Sequence, residues 1–232
     1  MAHPVRHFSF AKAVILEKRQ GECYNDFKFQ KRRRFIVSKT NEKRPDYLVL
    51  INGESRMPDG FENTVELISV QHGNGSTLKV ERKTYEAYLR LQADLLENDG
   101  IQTVLLESYR TVEKQEAIFA RYLEKGGLEY AAKYVAKPGC SEHHTGLAID
   151  VGIVWEGKLY SSVEQMLSVD DLFGVVQKKL PKYGFILRYP KGKTEITKIA
   201  YEPWHFRYLD SPEIAREITD KGICYEEYFA DR

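Results

Sequence analysis

The stretch Ser141–Asp150, SEHHTGLAID, decides the fold. Two adjacent histidines precede a glycine, and an aspartate then sits inside an apolar run, GLAIDVGIV, that reads as a buried strand. A histidine at the entrance of that strand and Asp150 within it project into one cleft. A hydrolytic zinc site takes three protein ligands and keeps a fourth position for water, so the pattern asks for a third ligand downstream. After His144 only His205 remains, in YEPWHFRY (Tyr201–Tyr208), with Glu202 three residues ahead of it. Pro203 inside this Glu-x-x-His spacing argues against the unbroken helix of HExxH metalloproteases and for an extended or bulged segment. From there an acid and a histidine three apart could reach one metal from different angles, the histidine as ligand and the glutamate as base that takes a proton from water and passes it to the leaving amine. Alone, the segment also reads as an aromatic strand with one satisfied histidine.

Charge developing on a scissile carbonyl calls for a cation. ESYRT supplies Arg110, at the turn from the buried strand IQTVLLES into a helix, with Gln115 one turn deeper on the same rim. Helical spacing predicts a helix over Glu81–Asn98, stopped by Gly100, and another over TVEKQEAIFARYLEKGG with Thr111 as its N-cap. LEYAAKYVA, VDDLFGVVQKKLPKYG and SPEIAREITDKG read as further helices, the last opened by Ser211 and Pro212. Strands are expected at Tyr47–Ile51, near Val65–Val70, and in FILRYP and ITKIAYEPWHFRYL, the last two as a hairpin across PKGKTE; HGNGS reads as a loop. Helices and strands alternate loosely, which indicates an α+β fold.

The 232 residues carry a net charge of +1, distributed unevenly. Residues 1–45 hold 12 Lys/Arg against 4 Asp/Glu, hence +8, and the remainder is −7. We therefore read 1–45 as a basic extension, which includes the strand-like FKFQKRRRFIVSK, and 46–232 as the domain proper. KRRRF comes without a groove-reading motif, so nucleic acid is not an expected partner. No apolar run approaches the roughly 18–20 residues of a membrane span, and AVIL near the N-terminus is too short for a secretory core. A cytoplasmic location is the expectation, although a chain trimmed of its leader would read the same. Cys23, Cys140 and Cys224 form no CxxC spacing and are odd in number, which suits a reducing compartment. Cys140, directly before SEHH, reads as a buried inert thiol.

These residues in this order resemble the zinc D,D-peptidases of the VanY/VanXY type, which have the hedgehog/D,D-peptidase fold. The resemblance runs from about Tyr47 to the C-terminus and is densest in SYRTVEKQ, KYVAKPGCSEHHTGLAIDVGI, YGFILRYP and EITKIAYEPWHFRY. The signature SxHxxGxAxD falls on Ser141, His143, Gly146, Ala148 and Asp150, and its distal part falls on Glu202, Trp204 and His205. The resemblance implies a small antiparallel sheet flanked by helices, with the zinc cleft on the sheet. It implies zinc held by His143, Asp150 and His205, Glu202 as base and then acid, and Arg110 facing the tetrahedral intermediate. Ser141 and Gln115 would hold the terminal carboxylate of the substrate, with Tyr109 and Trp204 as further substrate contacts. His144 becomes a wall or supporting residue. The implied substrates are peptidoglycan precursor peptides ending in D-Ala-D-Ala.

Two departures stand out: Lys198 occupies a position where glycine is usual, and the basic extension lies outside the resemblance, which begins at about Tyr47. Glu107 carries the choice between activities. An inward carboxylate would meet the free ammonium of a dipeptide, whereas an outward one favours longer peptides. An L,D-carboxypeptidase acting on tetrapeptide stems and a non-catalytic zinc-stabilised peptidoglycan-binding module are the alternatives. The intact Glu202 argues against the second.

Overall fold

A computed structural model describes residues 45–71 and 76–230. The basic extension to Arg44, with Cys23, KRRRF and the strands expected around it, lies outside the described residues, as do residues 72–75 of HGNGS. The architecture is α+β. Strands β1 (Leu67–Gln71) and β2 (Thr77–Glu81) form a two-stranded antiparallel sheet. Helix α1 (Arg82–Asp99) leads into β3 (Gln102–Glu107), and α2 (Val112–Tyr134) follows. Next come β4 (Ala148–Trp155), β5 (Lys158–Tyr160), α3 (Val163–Ser168), α4 (Asp170–Lys179) and β6 (Phe185–Leu187). The helical turn α5 (Thr194–Thr197), β7 (His205–Tyr208), α6 (Pro212–Lys221) and α7 (Tyr225–Ala230) complete the order. The main sheet runs β3-β4-β7-β6, with β5 pairing β4, and every pairing is antiparallel.

Alternation along the central strands separates the core from the cleft. Ile149, Val151 and Ile153 on β4, with Phe206 and Tyr208 on β7, pack into a core shared with Leu91 and Leu95 of α1 and Phe173 and Val176 of α4. Asp150 and His205 therefore point the other way, and the register sets them directly opposite each other.

The expected helix boundaries hold where caps define them. Thr111 accepts from Lys114 N, Ser211 accepts from Ile214 N, and Gly100 ends α1 at φ 68°. Gly127 has non-helical backbone inside α2, so the two helices expected there meet at a kink.

Other expectations are corrected. Tyr47–Ile51 is not a strand. Its carbonyls turn to side chains instead: Tyr47 O and Val49 O accept from Arg207 Nη2, and Ile51 O from Arg188 Nη2. Strands β6 and β7 do pair, but not as a hairpin across PKGKTE. The connection includes α5 and the turn at Pro203, and only His205–Tyr208 of the longer expected strand joins the sheet.

The buried carboxylate of Asp94 ties α1 to the end of α4 and the turn after it. Its Oδ1 accepts from Lys179 Nζ at 2.7 Å, while Oδ2 accepts from Lys182 Nζ at 2.8 Å and from the Tyr183 hydroxyl. These donors hold its pKa well below the usual carboxylate range. A depressed pKa contributes stability that is complete above the unfolded value near 3.9 and is lost as pH falls below it. Asp94→Asn is therefore expected to lower Tm at neutral pH, with the gap to the native protein closing steadily below about pH 4. Thermal melts across that range check it. Among the described residues no helix is long and apolar enough to cross a membrane.

Candidate metal and peptide site

His143 lies in the 3-10 turn Glu142–Thr145, which ends at Gly146 with φ 72°. A Cβ there would come within 2.8 Å of Leu67 Cδ2 and 3.1 Å of Glu81 N, so both the backbone conformation and the packing demand glycine. The turn delivers His143 to the mouth of β4, whose second residue after Ala148 is Asp150. His205 opens β7. Glu202 sits just before it in the turn around Pro203, with His205 N donating to Glu202 O at 3.3 Å. The proline forces the turn that lets the acid and the histidine face one point.

One donor atom from each of His143, Asp150 and His205 lies within 4.8 Å of the others, the single such metal-capable group among the described residues. The imidazole orientations fit that use. His143 Nδ1 lies 2.7 Å from Ser108 O, which fixes its proton there and leaves the Nε2 lone pair facing Asp150 Oδ2 at 3.3 Å. His205 faces Asp150 Oδ1 through Nδ1 at 3.0 Å. Two imidazoles and a carboxylate, with a further acid that is not a donor, are the residue types a hydrolytic zinc site uses.

Electrostatics follow from burial and crowding. Burial pushes the Glu202 carboxyl up to about 8, and Asp150 adds to this against the opposing pull of His205 and Arg110. Burial would lower the His205 imidazole, but Asp150, Glu142 and Glu202 outweigh it and carry it up to about 9. Asp150 itself is held well below the carboxylate range, because the two histidines overcome its burial. Burial, then Arg110, lowers His143. Glu202 Oε2 is 3.7 Å from His205 Nδ1, close enough to share the site without entering the donor group.

Arg110 reaches in from the end of β3. A register shift between Leu105 and Glu107 aligns Glu107 with Asp150 and turns the chain toward the cleft. Arg110 Nη2 lies 4.0 Å from Asp150 Oδ2, and Nη1 donates to Gln115 Oε1 at 2.8 Å. Gln115 is buried, and its other end donates to Ala136 O, so the amide spans Arg110 and the backbone. His144 braces the same arginine: Nδ1 donates to Arg110 O at 2.7 Å, and Nε2 accepts from Gly139 N. This is the supporting place expected for it.

A cavity of about 250 Å³ joins these groups, lined by Arg110, Gln115, Ser141 and Trp204 together with the donor residues and Glu202. Tyr109 and Glu107 are not on its lining. Glu107 is engaged by Lys114 Nζ at 2.6 Å and lies 3.7 Å from Arg110 Nε. Past Glu202 and Trp204 the surface continues as a groove lined by Tyr122, Tyr130, Tyr134 and Tyr201. Lys198 has φ 62°, a left-handed conformation that glycine adopts freely and other residues rarely do. Cys140 is buried outside the donor group.

Sequence reasoning missed Ser108, Tyr189 and Glu142. Tyr189 packs its ring 4.9 Å from that of His205. Glu142 was in plain view inside SEHH, but nothing local distinguishes a buried acid from a solvated one.

Known proteins resemble this chain over most of its length. Residues 77–211 match the family model described as VanY, D-alanyl-D-alanine carboxypeptidase. The putative carboxypeptidase YodJ of Bacillus subtilis is 32% identical over 224 residues, 90% of this chain and 75% of that protein. The bifunctional D-Ala-D-Ala dipeptidase and carboxypeptidase VanXYC of Enterococcus gallinarum is 44% identical over 126 residues, covering 53% of this chain and 64% of its own length. The chain thus spans three quarters of the first relative and just under two thirds of the second. A mutant of the vancomycin-resistance D,D-pentapeptidase VanY from a VanB-type cassette, solved in complex with Zn(II), superposes with a TM-score of 0.63 and 31% identity. That match covers 79% of this chain and 98% of that one.

Proposed function

The chain belongs to the VanY family of D-alanyl-D-alanine carboxypeptidases, and on that premise we propose a zinc-dependent D,D-carboxypeptidase that removes D-alanine from cell-wall precursor peptides. His143, Asp150 and His205 would hold the zinc. Zinc, when bound, supplies Lewis acidity and lowers the pKa of water at the site. Everything else is done by the chain. Glu202 takes the proton of the attacking water at its carboxylate and returns it to the leaving amine of D-alanine. Arg110, held by Gln115 and His144, presents its guanidinium to the oxygen of the scissile carbonyl as negative charge develops there. Ser141 lines the pocket where the terminal carboxylate would rest, and Trp204 forms a wall beside the scissile bond.

The observation that carries this reading is the position of Glu202: its carboxylate lies within 4 Å of a donor histidine yet outside the donor group. A metal site that served only to bind would have no use for it. The preference for peptides over the free dipeptide is supported by two features. Glu107, the candidate partner for a dipeptide ammonium, is already paired with Lys114 and stands off the cavity lining. The tyrosine-lined groove beyond Glu202 offers room for residues upstream of the scissile bond.

The test is D-alanine release by zinc-loaded protein from UDP-linked muramyl pentapeptide, free D-alanyl-D-alanine and the tetrapeptide stem in parallel. We expect the pentapeptide to be cleaved with the highest kcat/KM. Equal or faster cleavage of the dipeptide would overturn the carboxypeptidase preference. Cleavage of the tetrapeptide alone would establish the L,D-carboxypeptidase reading instead.

A further inference from the structure

We infer that Glu142 is a positioning residue for His205: its carboxylate, anchored by Arg188 and Arg207, holds the imidazole at Nε2 so that Nδ1 is presented to the cation. This rests on the reading of His205 as a metal ligand. The imidazole lies between two carboxylates on opposite nitrogens, with Asp150 Oδ1 3.0 Å from Nδ1 and Glu142 Oε2 3.8 Å from Nε2. Both His205 Nε2 and Glu142 Oε2 are buried, and neither has a hydrogen-bond partner. Buried polar atoms rarely stay unpaired, and these two face each other. Their separation is about 0.8 Å beyond the usual 3.0 Å of an N–H···O bond.

The protonation arithmetic gives the direction. A neutral imidazole carries one proton, so binding a cation through Nδ1 requires that proton on Nε2, where a carboxylate accepts it. An acidic partner on the far nitrogen fixes the tautomer and makes the ligating nitrogen more basic.

The surroundings keep Glu142 available for this task. Its Oε1 accepts from Arg188 Nε at 2.7 Å and from Arg207 Nη1 at 2.9 Å, which leaves Oε2 directed at the histidine. All three side chains are fully buried. Such a cluster is a poor device for stability, since buried ion pairs replaced by apolar residues often leave a protein as stable or more so. Each arginine is fixed in turn. Arg188 makes a paired contact with both carboxylate oxygens of Glu226 on α7, and Arg207 donates to Tyr47 O and Val49 O. The Tyr225 ring lies 5.6 Å from one guanidinium and 5.4 Å from the other. The first residues of the described chain and its last helix thus converge on the ligand through two arginines and one glutamate. Because Glu142 directly precedes His143, a single turn sets one donor histidine and the support of the other.

The experiment compares zinc affinity, by chelator competition, in the native protein, Glu142→Gln and His205→Ala, with Tm measured for each. Glu142→Gln is expected to stay folded and to bind zinc about 10- to 100-fold more weakly, with a changed cobalt(II) absorption spectrum in the substituted protein. A folded Glu142→Gln with native zinc affinity and an unchanged cobalt spectrum overturns the inference. Should that variant not fold, the native protein decides the matter through the nitrogen-15 NMR of its zinc-bound histidines. His205 protonated at Nε2 supports the inference, and His205 protonated at Nδ1 overturns it. If His205→Ala keeps native zinc affinity, the metal-ligand reading itself fails, a result separate from either outcome at Glu142.

Discussion

Glu202→Ala is expected to keep its zinc and lose about 10²- to 10⁴-fold in kcat, the range general acid–base catalysis contributes. The carboxylate is 3.7 Å from His205 Nδ1 but is no member of the donor group, so on the proposed roles its removal would delete the proton carrier and leave the ligands in place. Its raised pKa, about 8, belongs to the protein without a cation. A divalent ion beside it favours the ionised form, which is the form a base must start from. Zinc content by atomic emission, taken with steady-state kinetics on a pentapeptide substrate, checks the prediction. Equal loss of zinc and turnover would make Glu202 a ligand.

His205→Ala is expected to do the reverse and strip the site of metal. It removes one of three donors, and with it the partner that Asp150 Oδ1 contacts at 3.0 Å. Loss of an outer partner of a ligand already costs about 10- to 100-fold in affinity, and loss of the ligand itself is expected to cost more. Activity should fall to the level of metal-stripped protein, and added zinc should restore it only at concentrations far above those that saturate the native protein. Retention of tight zinc binding would remove His205 from the donor set.

How far the sequence could be read depended on whether the signal was local. The directions of Asp150 and His205 were legible because period-two alternation fixes which side chains leave the core, whereas the choice of His143 over His144 came only from the resemblance to the family signature. Asp150 is flanked by the core residues Ile149 and Val151, and His205 is followed by the core residue Phe206, so both had to face the cleft. Arg110 was legible from its place at a strand end followed by a capped helix.

Tyr47–Ile51 was misread because YLVLI has strand composition while its carbonyls are claimed by arginines about 140 to 160 residues away. Strand β2, TLKVE, was missed because it directly abuts α1, with Glu81 ending the strand and capping the helix. The hairpin expected across PKGKTE failed because strand pairing was right but the connection was not. Pro203 and the turn α5 take up residues that composition assigned to a strand. Glu142 is the clearest case of a residue beyond local reading. Its partners Arg188, Arg207 and His205 are 46 to 65 residues distant, and only the sheet brings them together.

The most direct test of the account is D-alanine release from UDP-linked muramyl pentapeptide by protein stripped with a chelator and then titrated with zinc. The account predicts no release from the stripped protein and a return of activity that saturates at one zinc per chain. Full release by the stripped protein, or saturated zinc binding with no release from any D-Ala-D-Ala-terminated peptide, would contradict it.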